Sequence, residues 1–270
     1  MADLRIFSYQ PNPRIWKATI AARLCGVSLE VRGARPRELA SWLWDFDARP
    51  LTEAERQSPD DTARAARTGF SGSLRKTDAF LTANPFGTVP VAFSPDGRTG
   101  IFESNSIMRA VARLAGDAHP LYGADAYTAA RVDSFLDVSL VFARDSQIYL
   151  LAMNGDGLTA EIHASAEKAF EIYLSGIEQA LAPDRHFLVG DEVTLADICF
   201  VAEICLFSRE RANRERLRDL DLPVISDGAE ARFPRAMAHH QRLSALPAFA
   251  PDVGPYMAKL EADIARADAG

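Results

Sequence analysis

The run Val89-Pro90-Val91-Ala92-Phe93 reads as a short strand, and its second residue is proline. A proline inside a strand forfeits a ladder hydrogen bond, so its position needs a reason. The preceding Asn84-Pro85-Phe86-Gly87 is a turn signal. A cis bond between Val89 and Pro90 would supply the reason. It would turn the Val89 N–H and C=O toward solvent and offer an extended peptide both hydrogen bonds of a strand edge. The alternative is an ordinary edge-strand proline, and these residues alone leave both readings open.

Strand and helix signals flank this segment on both sides. Ser94-Pro95-Asp96-Gly97 reads as a hairpin turn and Gly100-Ile101-Phe102 as the return strand. Ser104 or Asn105 can cap a helix whose Ile107, Val111 and Leu114 share one face. Upstream, Leu4 and Ile6 mark a strand, and Gln10-Pro11-Asn12-Pro13 breaks it. A helix follows from about Arg14 to Cys25, stopped by Gly26, and Val27, Leu29 and Val31 then alternate as on a second strand. The order is βαβ, insertion, ββα.

The insertion, residues 33–75, carries an aromatic-rich patch (Trp42, Leu43, Trp44, Phe46) and then a polar stretch from Thr52 to Arg67. It reads as a long excursion with partial helix: either a lid or binding loop, or a surface excursion pinned by its tryptophans. Gly116 to Asp125 reads as a linker. Beyond it the pattern is helical, with helices expected over about 126–153, 159–182, 194–217, 233–245 and 254–267. The expected domains are therefore 1–117, of α/β type, and 125–270, all-helical.

A net charge of -7 argues against a nucleic-acid partner, because phosphate binding needs a concentrated basic surface. Arg209, Arg211, Arg214, Arg216 and Arg218 come nearest, but Glu210, Glu215 and Asp219 interleave them, as on a solvated face. No apolar stretch reaches the roughly 20 residues of a membrane span. No signal-peptide pattern opens the sequence, and the three cysteines suit neither a disulfide framework nor a metal site. A cytoplasmic protein without a bound metal is expected.

Three short segments carry candidate chemistry or architecture. Glu103-Ser104 opens a helix after the return strand, where free N–H groups and the helix dipole favour a carboxylate. Ser104 adds a hydroxyl donor, and Glu103 can take an ammonium group; an amino-acid head group suits that pair. The bend at Asn12-Pro13-Arg14 precedes another helix, where a thiol loses its proton more readily and the Asn12 amide could donate to it. The structural alternatives are an ordinary N-cap at the first site and a simple turn at the second. Thr194-Leu195-Ala196-Asp197 is a capping-box start with a folding role.

Together these segments resemble the glutathione transferase family. NPFGTVPVAF is similar to its turn and cis-proline segment, GIFESNSIMRAVARL to its γ-glutamyl-binding segment, and FLVGDEVTLADICFVAEI to its helical-domain capping motif. YQPNPRIWKATIAA, VDSFLDVSLVF and FPRAMAHHQRLSALPAFAPDVG resemble the transferase-like domain of elongation factor gamma subunits.

The resemblance implies a thioredoxin-like N-terminal domain and an all-α helical-bundle C-terminal domain. Glutathione would lie on Val89, Pro90, Glu103, Ser104 and Arg14, with its thiolate near Asn12, or near the substitutes Tyr9 and Ser8. The thiolate would attack a small, aromatic electrophile held near Phe142 to Tyr149 and the tryptophan patch. The narrowest form of the activity is that of a β-etherase. A homodimer, or a heterodimer with a related chain, is implied as well. The competing implication is a non-catalytic binding or assembly module, since the Tyr, Ser or Cys common at the start of the first helix is replaced by Asn12.

Overall fold

A computed structural model describes residues 2–57, 62–66, 70, 72–116, 120–155, 157–183 and 185–268. Part of the expected linker (117–119) and part of the polar stretch (58–61 and 67) lie outside the described residues. The chain divides into two compact units, Met1–Ala118 and His119–Gly270.

In the first unit, β1 (Leu4–Phe7), α1 (Pro13–Cys25) and β2 (Leu29–Arg32) form the opening βαβ motif. The insertion then builds β3 (Trp42–Trp44), β4 (Arg49–Pro50), α2 (Glu53–Gln57), β5 (Ala63–Ala65) and β6 (Ser73–Lys76). A short helix α3 (Asp78–Ala83) leads to β7 (Val91–Phe93), β8 (Gly100–Phe102) and α4 (Ser104–Leu114). The main sheet has the order β2-β1-β7-β8. β1 and β2 are parallel, whereas β1–β7 and β7–β8 are antiparallel. This is the thioredoxin-like pattern.

Sequence chemistry accounts for each boundary. Pro13 occupies the first turn of α1, where a missing N–H costs nothing. Gly26 ends it at φ 74°, donating its N–H to the Ala22 carbonyl. Helices α1 and α4 pack together. Ile20 and Val111 are fully buried within unit 1, each contributing about 1.5–3 kcal/mol relative to exposure. The buried Lys17 Nζ donates to Asn105 Oδ1 at 2.8 Å, which ties the two helices across 88 residues of sequence.

The insertion holds the partial helix read in the sequence, as α2 and a 3-10 turn at Glu38–Ser41, but its described part is chiefly a second four-stranded sheet, β4-β3-β6-β5, which the sequence did not announce. Its tryptophans are structural. Trp44 is 1% exposed and lies edge-on to Phe7, Phe70 and Phe80, with its indole N–H donated to the Leu39 carbonyl. Trp42 stacks on Phe7 at 6.1 Å. The insertion is thus fastened to the main sheet by one aromatic cluster.

The second unit is helical: α5 (Ala126–Met153), α6 (Ala160–Ala180), α7 (Leu195–Phe207), α8 (Arg214–Asp219), α9 (Ala229–Arg232), α10 (Pro234–Ser244) and α11 (Ala250–Asp268). Asp125 and Thr128 form a capping box on α5. Helix α7, apolar apart from Asp197 and Glu203, is buried on every side. Asp197, fully buried, completes the capping box with Thr194 and also accepts from Leu188 N and His239 Nε2. One carboxylate therefore holds a loop, α7 and α10.

The single helix expected over 194–217 is interrupted by a 3-10 segment, Ser208–Asn213. Within it Glu210 is buried and accepts from Tyr149 Oη at 3.0 Å, Ile225 N at 3.2 Å and Ser226 N at 2.6 Å. The arginines around it are engaged at the surface, Arg211 with Glu261 and Arg214 with Asp227. No helix among the described residues is long and apolar enough to cross a membrane.

Candidate functional site

The candidate site lies at one end of the main sheet in unit 1. The β1–β7 register pairs Phe7 with Val91, and the β7–β8 register pairs Val91 with Phe102. Continued one residue past the ladder, these registers set Ser8, Pro90 and Glu103 side by side. Tyr9 and Val89 follow on the two strands, and Ser104 opens α4. The Val89–Pro90 bond is cis, and so is Gln10–Pro11. Val89 lies outside the ladder, and its main chain makes no hydrogen bond to another described residue.

The head of α4 faces the same end. Glu103 adopts φ 68° and ψ 124°, a conformation that L side chains rarely take, and its exposed carboxylate caps nothing. The first intrahelical bond runs from Ile107 N to the Glu103 carbonyl at 3.0 Å. The N–H groups of Ser104, Asn105 and Ser106 precede it, so they belong to the donors a helix start leaves without a partner in its own ladder. Ser104 is 8% exposed and Asn105, held by Lys17, is 1% exposed. A negative potential from one carboxylate beside a positive helix terminus suits a zwitterion.

The start of α1 is arranged differently. Asn12 is fully buried and its amide is already engaged: Oδ1 accepts from Arg14 N at 3.0 Å, and Nδ2 donates to Ser8 Oγ at 3.0 Å. Ser8 is buried too. Pro13 has no N–H, and Ile15 N donates to the Asn12 carbonyl. Direct contact between a thiolate and Asn12 or Ser8 is therefore opposed by burial, and the simple N-cap accounts for Asn12. Tyr9, half-buried against the aromatic cluster, and Arg14, half-buried on the first turn of α1, keep exposed surface. Gly33 is needed beside this strand end, since a Cβ there would sit 1.6 Å from the Ser8 carbonyl oxygen.

Two residues that the sequence reading passed over position Val89. The buried Lys76 donates from Nζ to the Gly87 carbonyl at 2.7 Å and lies over the Trp44 ring at 4.9 Å. Asn84 Nδ2 donates to the Thr88 carbonyl at 2.7 Å. Together they fix the turn that delivers Val89. Asn84 stood in a visible turn motif; a lysine just past the insertion carried no signal.

The aromatic residues expected around the electrophile are placed elsewhere. Phe142 is 1% exposed and stacks on Tyr173 at 4.7 Å, also meeting Phe170 and Phe207. Tyr149 is fully buried against His163 and Phe207. These side chains form the core of unit 2, because residues at these positions on α5 face α6 and α7. Trp44 is core in unit 1, enclosed by Phe7, Phe70 and Phe80. Burial raises the Glu210 carboxyl above its usual range and, with Glu210 beside it, the Tyr149 phenol as well.

Residues 148–247 match the family described as "Glutathione S-transferase, C-terminal domain". A probable elongation factor 1-gamma 1 of Arabidopsis thaliana is 36% identical over 141 residues, covering 50% of this chain and 32% of that protein. The match thus spans under half the length of this relative. A glutathione S-transferase-like protein of Gibberella moniliformis is 26% identical over 197 residues, 72% of each chain. Among solved structures, a glutathione S-transferase from Methylobacterium radiotolerans, in complex with glutathione sulfonate, superposes with a TM-score of 0.61 at 22% identity. The alignment covers 93% of this chain and 94% of that one.

Proposed function

Because the chain has the glutathione S-transferase fold, carries that family's C-terminal domain and resembles elongation factor 1-gamma, we propose that unit 1 binds glutathione and presents its thiolate to a small electrophile. The observation that carries this is the meeting, at one sheet end, of the unpaired Val89 main chain with the exposed Glu103 and the head of α4. The peptide lies along Val89 beside Pro90 as an added strand. The γ-glutamyl carboxylate takes the α4 N–H groups and the Ser104 hydroxyl, and its ammonium takes Glu103. Arg14 offers a cation at the first turn of α1. The glutathione sulfonate held by the Methylobacterium relative supports this ligand class.

In the reaction the thiolate sulfur forms a bond to an electrophilic carbon, and the leaving group departs with its electron pair. Proximity of the two bound reactants is the main source of rate. Tyr9 is the accessible candidate for holding the thiolate, with Asn12 and Ser8 supporting it from beneath. Cleavage of a β-aryl ether, with an aryloxide leaving, is the narrowest form of this reading. Its support from Trp42 and Trp44 is weakened by their packing role. A cytoplasmic dimer, homomeric or with a related chain, belongs to the same proposal.

A second reading has its own support. Asn12 and Ser8 are buried, and the similarity is to a fraction of an elongation factor subunit; both favour a transferase-fold assembly module without turnover. Calorimetry with glutathione, followed by turnover of chlorodinitrobenzene, separates the readings. Binding with turnover that Tyr9→Phe abolishes supports the enzyme. Binding without turnover on this and a panel of aryl ethers supports the module. Absence of glutathione binding removes the proposed site itself.

A further inference from the structure

The inserted sheet reaches the sheet-end site through one side chain. Lys76 closes β6 and lies beside Trp44 of β3 in the parallel register. Its side chain crosses the Trp44 ring at 4.9 Å and is buried. Its Nζ ends 2.7 Å from the Gly87 carbonyl, two residues before Val89. Among the described residues no other group bonds that carbonyl. A buried carbonyl without a donor is costly, so the turn stays where Lys76 holds it.

The turn is shaped around this contact. Gly87 is buried at φ 61°, and a Cβ there would lie 3.2 Å from Lys76 Nζ and 3.1 Å from Leu81 Cδ2. Gly87 N donates to the Asn84 carbonyl at 2.9 Å, and Asn84 Nδ2 donates to the Thr88 carbonyl. A second strut runs alongside from the same inserted strand. Thr77, the cap of α3, donates its N–H to the Trp44 carbonyl at 3.2 Å and its hydroxyl to Asp45 Oδ1 at 2.9 Å. Helix α3 then leads directly to Asn84. The main-chain groups just before Val89 are thus engaged inside the protein, and the insertion braces them from behind. A lid would instead offer its large side chains to the ligand, whereas Trp44 is spent on the core.

We infer that the inserted sheet sets the affinity of the site: Lys76 is a positioning residue that holds the Val89 main chain in register for the peptide backbone of glutathione, and bound glutathione in turn steadies the insertion. The inference rests on the reading of the sheet end as a glutathione site. Lys76 does not touch the ligand and acts through Gly87. Register matters because an N–H···O bond weakens steeply outside about 2.7–3.2 Å and away from linearity. The reverse effect follows by linkage: a contact that raises ligand affinity is strengthened by the ligand by the same factor.

The test uses the full chain and Lys76→Met, which keeps an unbranched side chain over Trp44 and removes the donor. In calorimetry Lys76→Met should weaken glutathione by about three- to tenfold. Its effect should add to that of Ser104→Ala, because the two act on different parts of the ligand. The second readout is hydrogen exchange with and without saturating glutathione. In the parent the ligand should slow exchange of the β3 and β6 amides; in Lys76→Met, also at saturation, that protection should be lost. A lysine serving only to stabilise the insertion would change exchange equally with and without ligand. Gly87→Ala crowds the same contact from the other side and should weaken glutathione by a similar factor, so the inference stays refutable if Lys76→Met folds poorly. Unchanged affinity in both variants, or equal ligand protection in parent and Lys76→Met, overturns the inference and leaves the site standing. Absence of glutathione binding by the parent overturns the site itself, and the inference with it.

Discussion

Replacing Asn12 with alanine separates a folding role from a chemical one. The side chain caps α1 through Oδ1 and satisfies the buried Ser8 hydroxyl through Nδ2. Losing an N-cap costs about 1 kcal/mol. Leaving a buried hydroxyl without its partner costs a further 1–2 kcal/mol or so. Asn12→Ala should therefore lower the stability of unit 1 by about 2–3 kcal/mol. With a urea m-value of about 2 kcal/mol/M, the midpoint should move down by roughly 1 M. All three tryptophans, Trp16, Trp42 and Trp44, belong to unit 1, so their fluorescence reads that unit by itself. Any turnover, measured well below the new midpoint, should change by less than about threefold. An unmoved midpoint with turnover reduced 10- to 100-fold would refute this reasoning, since that is the signature of a hydrogen bond to a thiolate of about 1.5–3 kcal/mol.

Three more outcomes follow from the same geometry. Ser104→Ala should weaken glutathione in calorimetry by about three- to tenfold, the worth of one neutral hydrogen bond, with little change in the fluorescence midpoint. Asp197→Ala strands three buried N–H groups or hydroxyls and His239, and should cost unit 2 about 3 kcal/mol or more in a urea transition followed by far-UV circular dichroism. Glu210 has a folded pKa raised above 4.5 by burial, so the native state binds its proton more tightly than the unfolded chain. Its contribution is favourable in acid and is lost as pH rises through the folded pKa. Stability of unit 2 should fall over that window, and Glu210→Gln, though less stable overall, should remove the slope.

The main architecture was legible because its signals are local. Leu4 and Ile6 alternate, Gly26 takes a left-handed C-cap, and Ile107 and Val111 share a helix face. The insertion was not legible as a sheet. Strands of two to four residues such as Arg49–Pro50 and Ala63–Ala65 carry no alternation of their own and exist only because β3 and β6 lie beside them. Helix α3 escaped notice although Thr77 caps it through the Phe80 N–H, because six residues give too little periodicity to count. At the site, Asn12 showed its residue type but not its direction. The same asparagine reads as a thiolate donor or as part of a simple turn, and its bonds to Arg14 N and Ser8 Oγ are what make it a cap. The break at Ser208 had the same origin: Glu210 is drawn inward by partners that include one 61 residues away, Tyr149.

The aromatic cluster beneath the insertion has a consequence for how such a chain can vary. Phe7 belongs to the main sheet and Phe80 to α3, yet Trp44, from the inserted sheet, lies edge-on to both. The segment is a keystone, and it cannot be treated as a cassette. Excising residues 33–75 would leave Phe7 and Phe80 with each other and Phe93 but without the indoles that cover them, and transplanting the segment would carry Trp44 away from the surface that shapes its slot. A homologous chain with a short connection here must therefore clothe its first strand with different side chains. Changes in the length of this loop and in the residues at positions 7 and 80 should travel together through descent.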